Sequence, residues 1–354
     1  MLIKKRVTIK EVALAAGVST QTVSRVLNDR PDVSAETRDK IRQIIAELGY
    51  SPNVLARSLI QGRSHTLGVV GYGLGYYGPS RVITGVERRA NELGFSLLLS
   101  LVREPETNDG ETILHHLVGR QVDGIIWAVP EIGENRDRLV EQMHRLSVPV
   151  VFINMQSRPG VAVAAIDNCL GGRLAASHLI EQNCRKIGLI AGPSSWWEAR
   201  QREQGWREVM QEHGLLDEAQ LAARKVTGDW YHASGAAGLA ELLRRSPDLE
   251  AVFASNDAMA AGALQAARKL GRRVPQDLAI VGFDDAPEAA FYYPSLTTIQ
   301  QPLVDLGGQA VDLLNRILEA GSGDDEIGTS GQIESSLAVS MPPKIVVRES
   351  SIRA

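Results

Sequence analysis

Residues 8–28 read "TIKEVALAAGVSTQTVSRVLN", and this stretch decides the fold of the N-terminal part of the chain. Thr8 and Glu11 have the spacing of a capping box, which predicts a helix over residues 9–15. Gly17 can end that helix in a left-handed turn, so a second helix can follow almost at once.

The second helix has Ser19 as a good N-cap. Its apolar side chains share one face at spacings of three and four: Val23, Val26 and Leu27. Its polar side chains remain exposed: Thr20, Gln21, Ser24, Arg25 and Asn28. Ser34 caps a third helix that closes a small core before Gly49 with four side chains: Ile41, Ile44, Ile45 and Leu48. The pattern predicts an all-α, three-helix headpiece over residues 1–51 that contains a helix-turn-helix.

The exposed side chains of the second helix suit DNA. In this motif the second helix lies in the major groove. Gln21 can pair with adenine, Arg25 with guanine, and the methyl group of Thr20 can contact thymine. Other polar side chains are better suited to phosphates, which position the protein: Ser19, Thr22, Asn28 and Thr37. Thr8 and Ser24 complete the predicted DNA-binding set of the headpiece. The alternative is an exposed helix face without a special partner.

Charge is distributed unevenly over the 354 residues. Residues 1–65 hold eleven Lys or Arg against six Asp or Glu, a net charge of +5, so the rest of a chain whose total is −4 carries −9. A basic head on an acidic body favours a polyanion partner for the head, although a solvated helical surface would give the same charge.

Composition narrows the class of protein. The length and the 44% apolar content predict two or three domains. No run approaches the roughly 18 apolar residues of a membrane helix, and the N-terminus lacks an apolar signal core, so we expect a cytoplasmic protein without a membrane partner. Cys169 and Cys184 are too few for a disulfide framework and lack zinc spacing. We expect two buried thiols, no metal and no cofactor.

Residues 52–65 form a predicted hinge helix and linker. Pro52 breaks the third helix, Asn53 can cap, and the chain to Gln61 favours a helix. A helix of nine residues is marginal alone and needs a partner. Its two leucines, Leu55 and Leu59, would pack on a second copy or wedge into DNA.

Two motifs of this region, "VSTQTVSRVLN" and "YSPNVLARSL", resemble the headpiece and hinge of the lactose-repressor (LacI/GalR) family of bacterial transcription regulators. The resemblance extends over essentially the whole chain. It implies a dimer whose hinge helices pair in the minor groove, with Leu59 inserted at the centre of a palindromic operator and Leu55 facing its twin. It adds Leu55, Ala56 and Leu59 to the predicted DNA-binding residues.

From residue 66 to residue 354, short apolar runs alternate with helical periods, which is typical of βαβ units and parallel sheets. Eight runs fall into two groups of four: 67–72, 96–102, 124–129 and 149–154, then 162–167, 186–192, 251–256 and 278–283. They predict two doubly wound parallel sheets in two lobes, with a ligand between them at the carboxyl ends of the strands. The family resemblance implies a periplasmic-binding-protein-like effector domain with crossovers near residues 163, 295 and 330.

The predicted strand ends are rich in groups that bind polyols. Amide or carboxylate side chains end or follow the strands: Asn154, Asp167, Asn256, Asp257, Asp284 and Asp285. Nearby loops add four tryptophans that could cover the apolar face of a pyranose: Trp127, Trp196, Trp197 and Trp230. Such a mixture is typical of a small-ligand cleft. The alternatives are helix N-caps for the carboxylates and core packing for the tryptophans.

One loop, "GLGYYG" at residues 73–78, matches the dinucleotide pattern G-x-G-x-x-G, with Glu104 placed as a ribose-binding acid could be. Pro79 places the start of the next helix at or after residue 79, which disfavours a dinucleotide site because the helix should begin within the turn. The alternative is a glycine-rich loop between strand and helix.

Four motifs carry the family resemblance into the effector domain: "AGPSSWWEARQREQGW", "GDW", "ASNDAMAAG" and "VGFDDAPEAAFYYPSLTTIQQP". The resemblance implies five ligand residues: Arg202, Asn256, Asp284, Trp230 and Gln301. It also implies that "GLGYYG" is an effector-pocket loop, with Tyr72 and Tyr76 at the mouth of the cleft. Asn154 replaces an acid of the family pattern and Tyr72 a small polar residue, which leaves the identity of the sugar open.

The resulting hypothesis is a repressor of carbohydrate-utilisation genes that a sugar, such as a β-galactoside or another glycoside, releases from a palindromic operator. The polar segment "GSGDDEIGTSGQIESS" and the absence of a following leucine heptad favour a homodimer. Two alternatives are a corepressor-dependent purine-type regulator and a sugar-binding protein that does not bind DNA. We find no common catalytic motif and expect no enzyme.

Overall fold

The computed structural model describes residues 7–50, 63–103, 109–132, 135–143, 145–215, 217–321 and 337–353. It divides into a unit of residues 1–64 and a unit of residues 65–354, here called the headpiece and the effector domain. Among the described helices, none combines the length and the apolar character that crossing a membrane requires.

The headpiece contains three helices: α1 (Ile9–Ala16), α2 (Thr20–Leu27) and α3 (Ala35–Leu48). Their ends confirm the predictions from local spacing. Thr8 and Glu11 form the capping box, and Ser19 and Ser34 cap α2 and α3. Gly17 and Gly49 end α1 and α3 in the left-handed conformation, with φ of 69° and 63°. The core consists of small and β-branched side chains from all three helices: Val12, Ala13, Ala16, Val23, Val26 and Ile41.

The effector domain contains two six-stranded sheets. The first lobe is built on β1 (Thr66–Gly71), β2 (Ser96–Leu101), β3 (Gly124–Ala128), β4 (Val150–Ile153), β5 (Ala162–Ile166) and β11 (Ala338–Met341). The order across this sheet is β11-β5-β4-β3-β1-β2, and all its pairs are parallel. Its helices are α4 (Tyr77–Glu92), α5 (Asp109–Gly119), α6 (Asn135–Met143) and α12 (Leu303–Ala320).

The second lobe is built on β6 (Ile187–Ala191), β7 (Lys225–Thr227), β8 (Ala251–Ala254), β9 (Ala279–Asp284), β10 (Thr297–Gln300) and β12 (Lys344–Val346). The order is β12-β10-β9-β8-β6-β7, and only β12 is antiparallel to its neighbour. Its helices are α7 (Asn168–Glu181), α8 (Trp197–Glu212), α9 (Glu218–Ala223), α10 (His232–Arg245) and α11 (Asp257–Lys269).

The eight predicted strands are present, but their division into two groups of four is wrong. β5 pairs with β4 and belongs to the first sheet. The chain therefore crosses to the second lobe after Ile166, returns between Gln300 and Leu303, and crosses again between Met341 and Lys344. The first two crossings lie a few residues beyond the implied positions 163 and 295, and the third lies more than ten residues beyond the implied position 330.

The final strand-like run, 337–348, is two strands in different sheets. Pro342 and Pro343 lie between them, and prolines cannot donate to a strand ladder. β11 therefore ends in the first lobe and β12 begins in the second.

Helices α7 and α8 pack closely because each presents a glycine to the backbone of the other. A side chain at Gly172 would overlap the carbonyl group of Arg202, and one at Gly205 would overlap that of Cys169. This close packing fixes the middle of α8 against the second sheet and so positions Arg202.

Candidate functional site

The outer face of α2 carries the predicted base-reading side chains. Thr20, Gln21 and Arg25 are exposed. Arg25 Nη1 lies 3.3 Å from Asp32 Oδ2, and both side chains are about half exposed. Such a surface ion pair contributes little to stability, so Arg25 can exchange Asp32 for another partner.

The hydroxyl groups around α2 also cap helices. The Ser19 and Thr22 hydroxyl oxygens lie 2.9 Å apart, and the Thr22 amide donates to Ser19 Oγ. Thr8 and Thr37 take part in the caps of α1 and α3, while Asn28 Nδ2 lies 3.5 Å from Ser24 Oγ. The other predicted DNA contacts, and the predicted hinge helix, lie outside the described residues: Leu55, Ala56 and Leu59.

A cleft of about 550 Å³ lies between the two lobes, at the carboxyl ends of the strands. This volume is within the usual range for small-molecule sites. Eight of the eleven predicted effector-binding residues line it: Tyr76, Asn154, Trp196, Arg202, Trp230, Asn256, Asp284 and Gln301.

Arg202 is the most constrained of these side chains and is only 7% exposed. Its Nε donates to Asn168 Oδ1 at 2.8 Å, and its Nη1 donates to the carbonyl oxygen of Ser255. The guanidinium carbon lies 3.8 Å from the ring centre of Phe283 and 5.5 Å from that of Trp230. Burial lowers the pKa of Arg202, and nearby carboxylates oppose this effect.

Asp284 ends β9 with φ of 128°, a conformation that a residue other than glycine adopts only when its surroundings impose it. Its Oδ1 accepts a hydrogen bond from Gln301 Nε2 at 2.7 Å. Burial raises the pKa of Asp284 to about 6, against the opposing effects of Arg202 and Gln301. Within the described residues, Gln301 Oε1 is buried without a hydrogen-bond partner. Asp284 and Gln301 therefore place a carboxyl group and an unused acceptor, Gln301 Oε1, beside the cleft.

Asn256 serves the fold as well as the cleft. Its Oδ1 accepts a hydrogen bond from the Met259 amide at 2.9 Å and caps α11, and its Nδ2 donates to the Trp230 carbonyl oxygen at 2.9 Å. The second hydrogen of its amide nitrogen can serve a ligand. Asn154 likewise lines the cleft while its Oδ1 accepts from the Ile166 amide at 3.1 Å.

Aromatic rings from both lobes form one contact network along the cleft. Tyr76 of the first lobe lies 5.8 Å from Trp196 and 5.3 Å from Tyr231, measured between ring centres. Trp196 lies 5.6 Å from Trp230 in an edge arrangement. A sugar ring can pack its C–H groups on such a wall.

The structure does not bring three predicted residues to the cleft. Trp127 is 4% exposed and packs in the core of the first lobe, because side chains alternate along β3 and its neighbour Ala128 is the one that lines the cleft. Trp197 begins α8 outside the cleft lining. Tyr72 also lies outside the lining, although its ring centre is 6.0 Å from that of Trp196.

The other acids at strand ends have structural partners. Asp167 caps α7 by accepting from the Leu170 amide at 2.8 Å. Asp285 pairs with Arg348 at 2.7 Å. The helix N-cap alternative therefore holds for Asp167, whereas Asp285 has an ion-pair partner and caps no described helix.

The "GLGYYG" loop lines the cleft through its second half, residues 75–78. Helix α4 begins at Tyr77, so the expectation of a start at or after residue 79 is wrong: Pro79 is the third helical residue, where its missing amide hydrogen costs nothing. Gly73 has φ of 62°, and a β-carbon there would lie 2.7 Å from the Tyr76 ring. The first glycine therefore makes room for Tyr76 itself.

Sequence reasoning missed several residues that line the cleft, among them Glu198 and Tyr231. Glu198 is one helical turn before Arg202 on α8, a spacing that could have placed it on the same face. Tyr231 directly follows Trp230 and carries no comparable signal.

The lobes also meet along a seam formed by Glu131 and Ile132 of the first lobe and by Trp196, Trp197 and Arg200 of the second. The Trp197 amide donates to the Glu131 carbonyl oxygen at 3.0 Å, and Ile132 and Trp196 form an isolated antiparallel bridge. Arg200 Nη2 lies 3.5 Å from Glu131 Oε1. These contacts join the two lobes beside the cleft.

Comparison with known proteins agrees with both parts of the chain. Residues 8–53 match the family model "Bacterial regulatory proteins, lacI family", and residues 176–351 match a periplasmic binding protein-like domain. The lactose operon repressor of Escherichia coli strain K12 is 34% identical over 310 residues, which are 88% of this chain and 84% of that protein.

Solved structures that share the fold include two with a bound ligand. One is the lac repressor dimer bound to operator and the anti-inducer ONPF, with a TM-score of 0.84 and 31% identity over 99% of this chain and 100% of that one. The other is a complex of the transcriptional regulator CelR with cellobiose, with a TM-score of 0.70 and 32% identity over 98% and 100% of the two chains.

Proposed function

The chain belongs to the lacI family of bacterial regulatory proteins, and on that premise we propose that it represses carbohydrate-utilisation genes until a sugar releases it from a palindromic operator. The observation that carries this proposal is the presence, in one chain, of an exposed recognition helix and a cleft between two lobes. A cytoplasmic location follows from this role.

The DNA-binding half rests on α2. Gln21 and Arg25 can present bidentate hydrogen-bond patterns to base edges, while the hydroxyls of Ser19 and Thr22 suit phosphates. The headpiece is small, so its affinity for DNA depends strongly on phosphate contacts and therefore on salt.

The sugar-binding half rests on the cleft. Vicinal hydroxyls of a saccharide can donate to Asp284 and Gln301 and accept from Arg202, while Trp230 covers an apolar face of the ring. The acid-rich set suits hydroxyl donors better than the planar edge of a purine, so the purine-type alternative is not favoured.

The homodimer is supported by exposed apolar side chains of the effector domain. Phe291 and Tyr293 are 86% and 96% exposed, and Leu99 and Leu101 are exposed on β2, the edge strand of the first sheet. Exposed apolar edge strands are sites of association. We propose that these surfaces meet their counterparts in a second copy.

Release requires that the sugar favour one angle between the lobes. It also requires that the change in this angle affect the headpiece through residues 52–65. The sugar can shift operator affinity only by its different affinities for the two states, typically about 1 to 3 kcal/mol, and the operator must weaken sugar binding by the same factor.

The test begins with selection of an operator from random duplexes by the full-length protein. Binding of cellobiose, lactose and ribose is then measured by calorimetry with and without that duplex. We expect one of these sugars to bind about fivefold or more weakly in the presence of operator. Equal affinities would exclude coupling, and tighter binding on DNA would make the sugar a corepressor.

A further inference from the structure

Glu198 is a buried acid of the cleft, and one of its two carboxyl oxygens has no hydrogen-bond partner among the described residues. It is 7% exposed, lies in the first turn of α8 and lines the cleft. Within the described part of the chain, its Oε2 has no hydrogen-bond partner. A buried polar atom left unpaired is destabilising, so its retention needs a reason outside the fold.

The nearest cation does not neutralise Glu198 directly. Arg202 lies one turn further along α8, but its guanidinium hydrogen-bonds to Asn168 and Ser255 and stacks on Phe283. Glu131, which approaches from the first lobe, adds a like charge, and Arg200 is engaged with Glu131. Burial accordingly raises the pKa of Glu198 to about 7.

The charge of the cleft as a whole disfavours anions. Its lining includes four carboxyl groups, those of Glu198, Asp257, Asp284 and Glu288, against the guanidinium of Arg202; the imidazole of His232 also lines it. Helix N-termini attract anions, yet Glu198 and Asp257 already occupy the first turns of α8 and α11. A phosphate group in this space would meet carboxylates where it needs donors.

We propose that Glu198 is a specificity-determining residue that accepts a hydrogen bond from a hydroxyl of an uncharged saccharide and excludes phosphorylated sugars. This inference rests on the proposed function. An uncharged sugar supplies the missing donor to Oε2, whereas a sugar phosphate brings a second negative charge to a carboxylate that has no direct counter-ion.

The experiment is calorimetry of the full-length protein with two panels of ligands. The uncharged panel contains cellobiose, lactose and ribose, and the anionic panel contains glucose 6-phosphate and ribose 5-phosphate. The wild type should bind a member of the first panel and none of the second. Glu198→Gln, which keeps the shape, should weaken that binding about tenfold or more, because the sugar hydroxyl then donates to a neutral amide oxygen instead of a charged carboxylate. Glu212→Gln, at the exposed end of the same helix, should leave it unchanged.

The outcomes distinguish a failure of the role of Glu198 from a failure of the proposed sugar function. Unchanged affinity in Glu198→Gln, or tighter binding of a phosphorylated sugar by the wild type, overturns the role of Glu198 but leaves a sugar-responsive regulator. If no sugar of either panel binds, the proposed sugar function fails and this role fails with it. A thermal melt of each variant establishes that it is folded.

Discussion

The recognition helix α2 and the cleft hold their polar side chains in opposite ways. On α2, Gln21 is exposed, and Arg25 has a half-exposed surface partner. In the cleft, Arg202 is buried with three neighbours that fix it, and Asp284 is fixed by Gln301.

This difference predicts how each surface responds to change. A side chain on α2 contributes nearly alone, so its replacement should affect one base position. Cleft side chains share partners, so their effects should be strongly non-additive. Each side chain of α2 should therefore contribute separately to DNA specificity, whereas ligand specificity should depend on the cleft side chains acting together.

The largest effect should come from Arg202→Ala. Sugar affinity should fall by a hundredfold or more, because the ligand loses a donor while Asn168 and Ser255 lose theirs; each buried group left unpaired costs about 1 to 3 kcal/mol. Calorimetry and thermal melting measure both losses. Arg207→Ala, on the more exposed side of α8, is the control and should change neither by more than about 1 kcal/mol. An Arg202→Ala protein that bound sugar normally would show that the cleft residues are as independent as those of α2.

The next prediction concerns Glu198→Gln, whose effect on protein stability should depend on pH. The folded-state pKa of Glu198, about 7, lies above the value of 4.5 for an exposed glutamate. The neutral form of Glu198 therefore contributes fully to the free energy of unfolding below pH 4.5, and this contribution is lost as the pH rises through 7. The free energy of unfolding of Glu198→Gln should exceed that of the wild type at pH 8 by up to about 3 kcal/mol, and match it at pH 4.

Denaturant unfolding at the two pH values measures this difference. Glu212→Gln should show no gain at pH 8, since Glu212 is exposed and ion-paired with Arg173. A wild-type advantage at pH 8 would mean that Glu198 has a partner in solution.

The smallest effect should come from Arg25→Ala. Affinity for the preferred operator should fall by about 1 to 3 kcal/mol, with relaxed preference at one base pair. Arg42→Ala, which removes an exposed arginine of α3, should weaken binding equally for all sequences or leave it unchanged. Operator selection with both variants measures the preference. If Arg25→Ala kept the wild-type preference, Arg25 would be a phosphate contact.

The sequence predicted the headpiece well because its signals are local. Thr8 and Glu11, or Ser19 and Thr22, interact three residues apart, so spacing alone reveals them. Gly17 and Gly49 end helices through their own backbone freedom.

The effector domain was predicted less completely because its determinants lie far apart in the chain. Nothing in residues 162–166 records that this strand pairs with β4, and β7 has only three residues. Trp127 and Trp196 are both tryptophans near strand ends, yet only the fold distinguishes core from cleft. Glu198 escaped notice because an acid near a helix start usually has a purely helical role.

Trp196 gives the molecule an intrinsic optical reporter. Its indole contacts Tyr72 and Tyr76 of one lobe and Trp230 of the other, so opening the seam must change its surroundings. Trp206 and Trp127 are buried within single lobes and supply a constant background emission. Stopped-flow fluorescence of the unlabelled protein can therefore time the entry of a sugar and, in the presence of operator, the delay between entry and release.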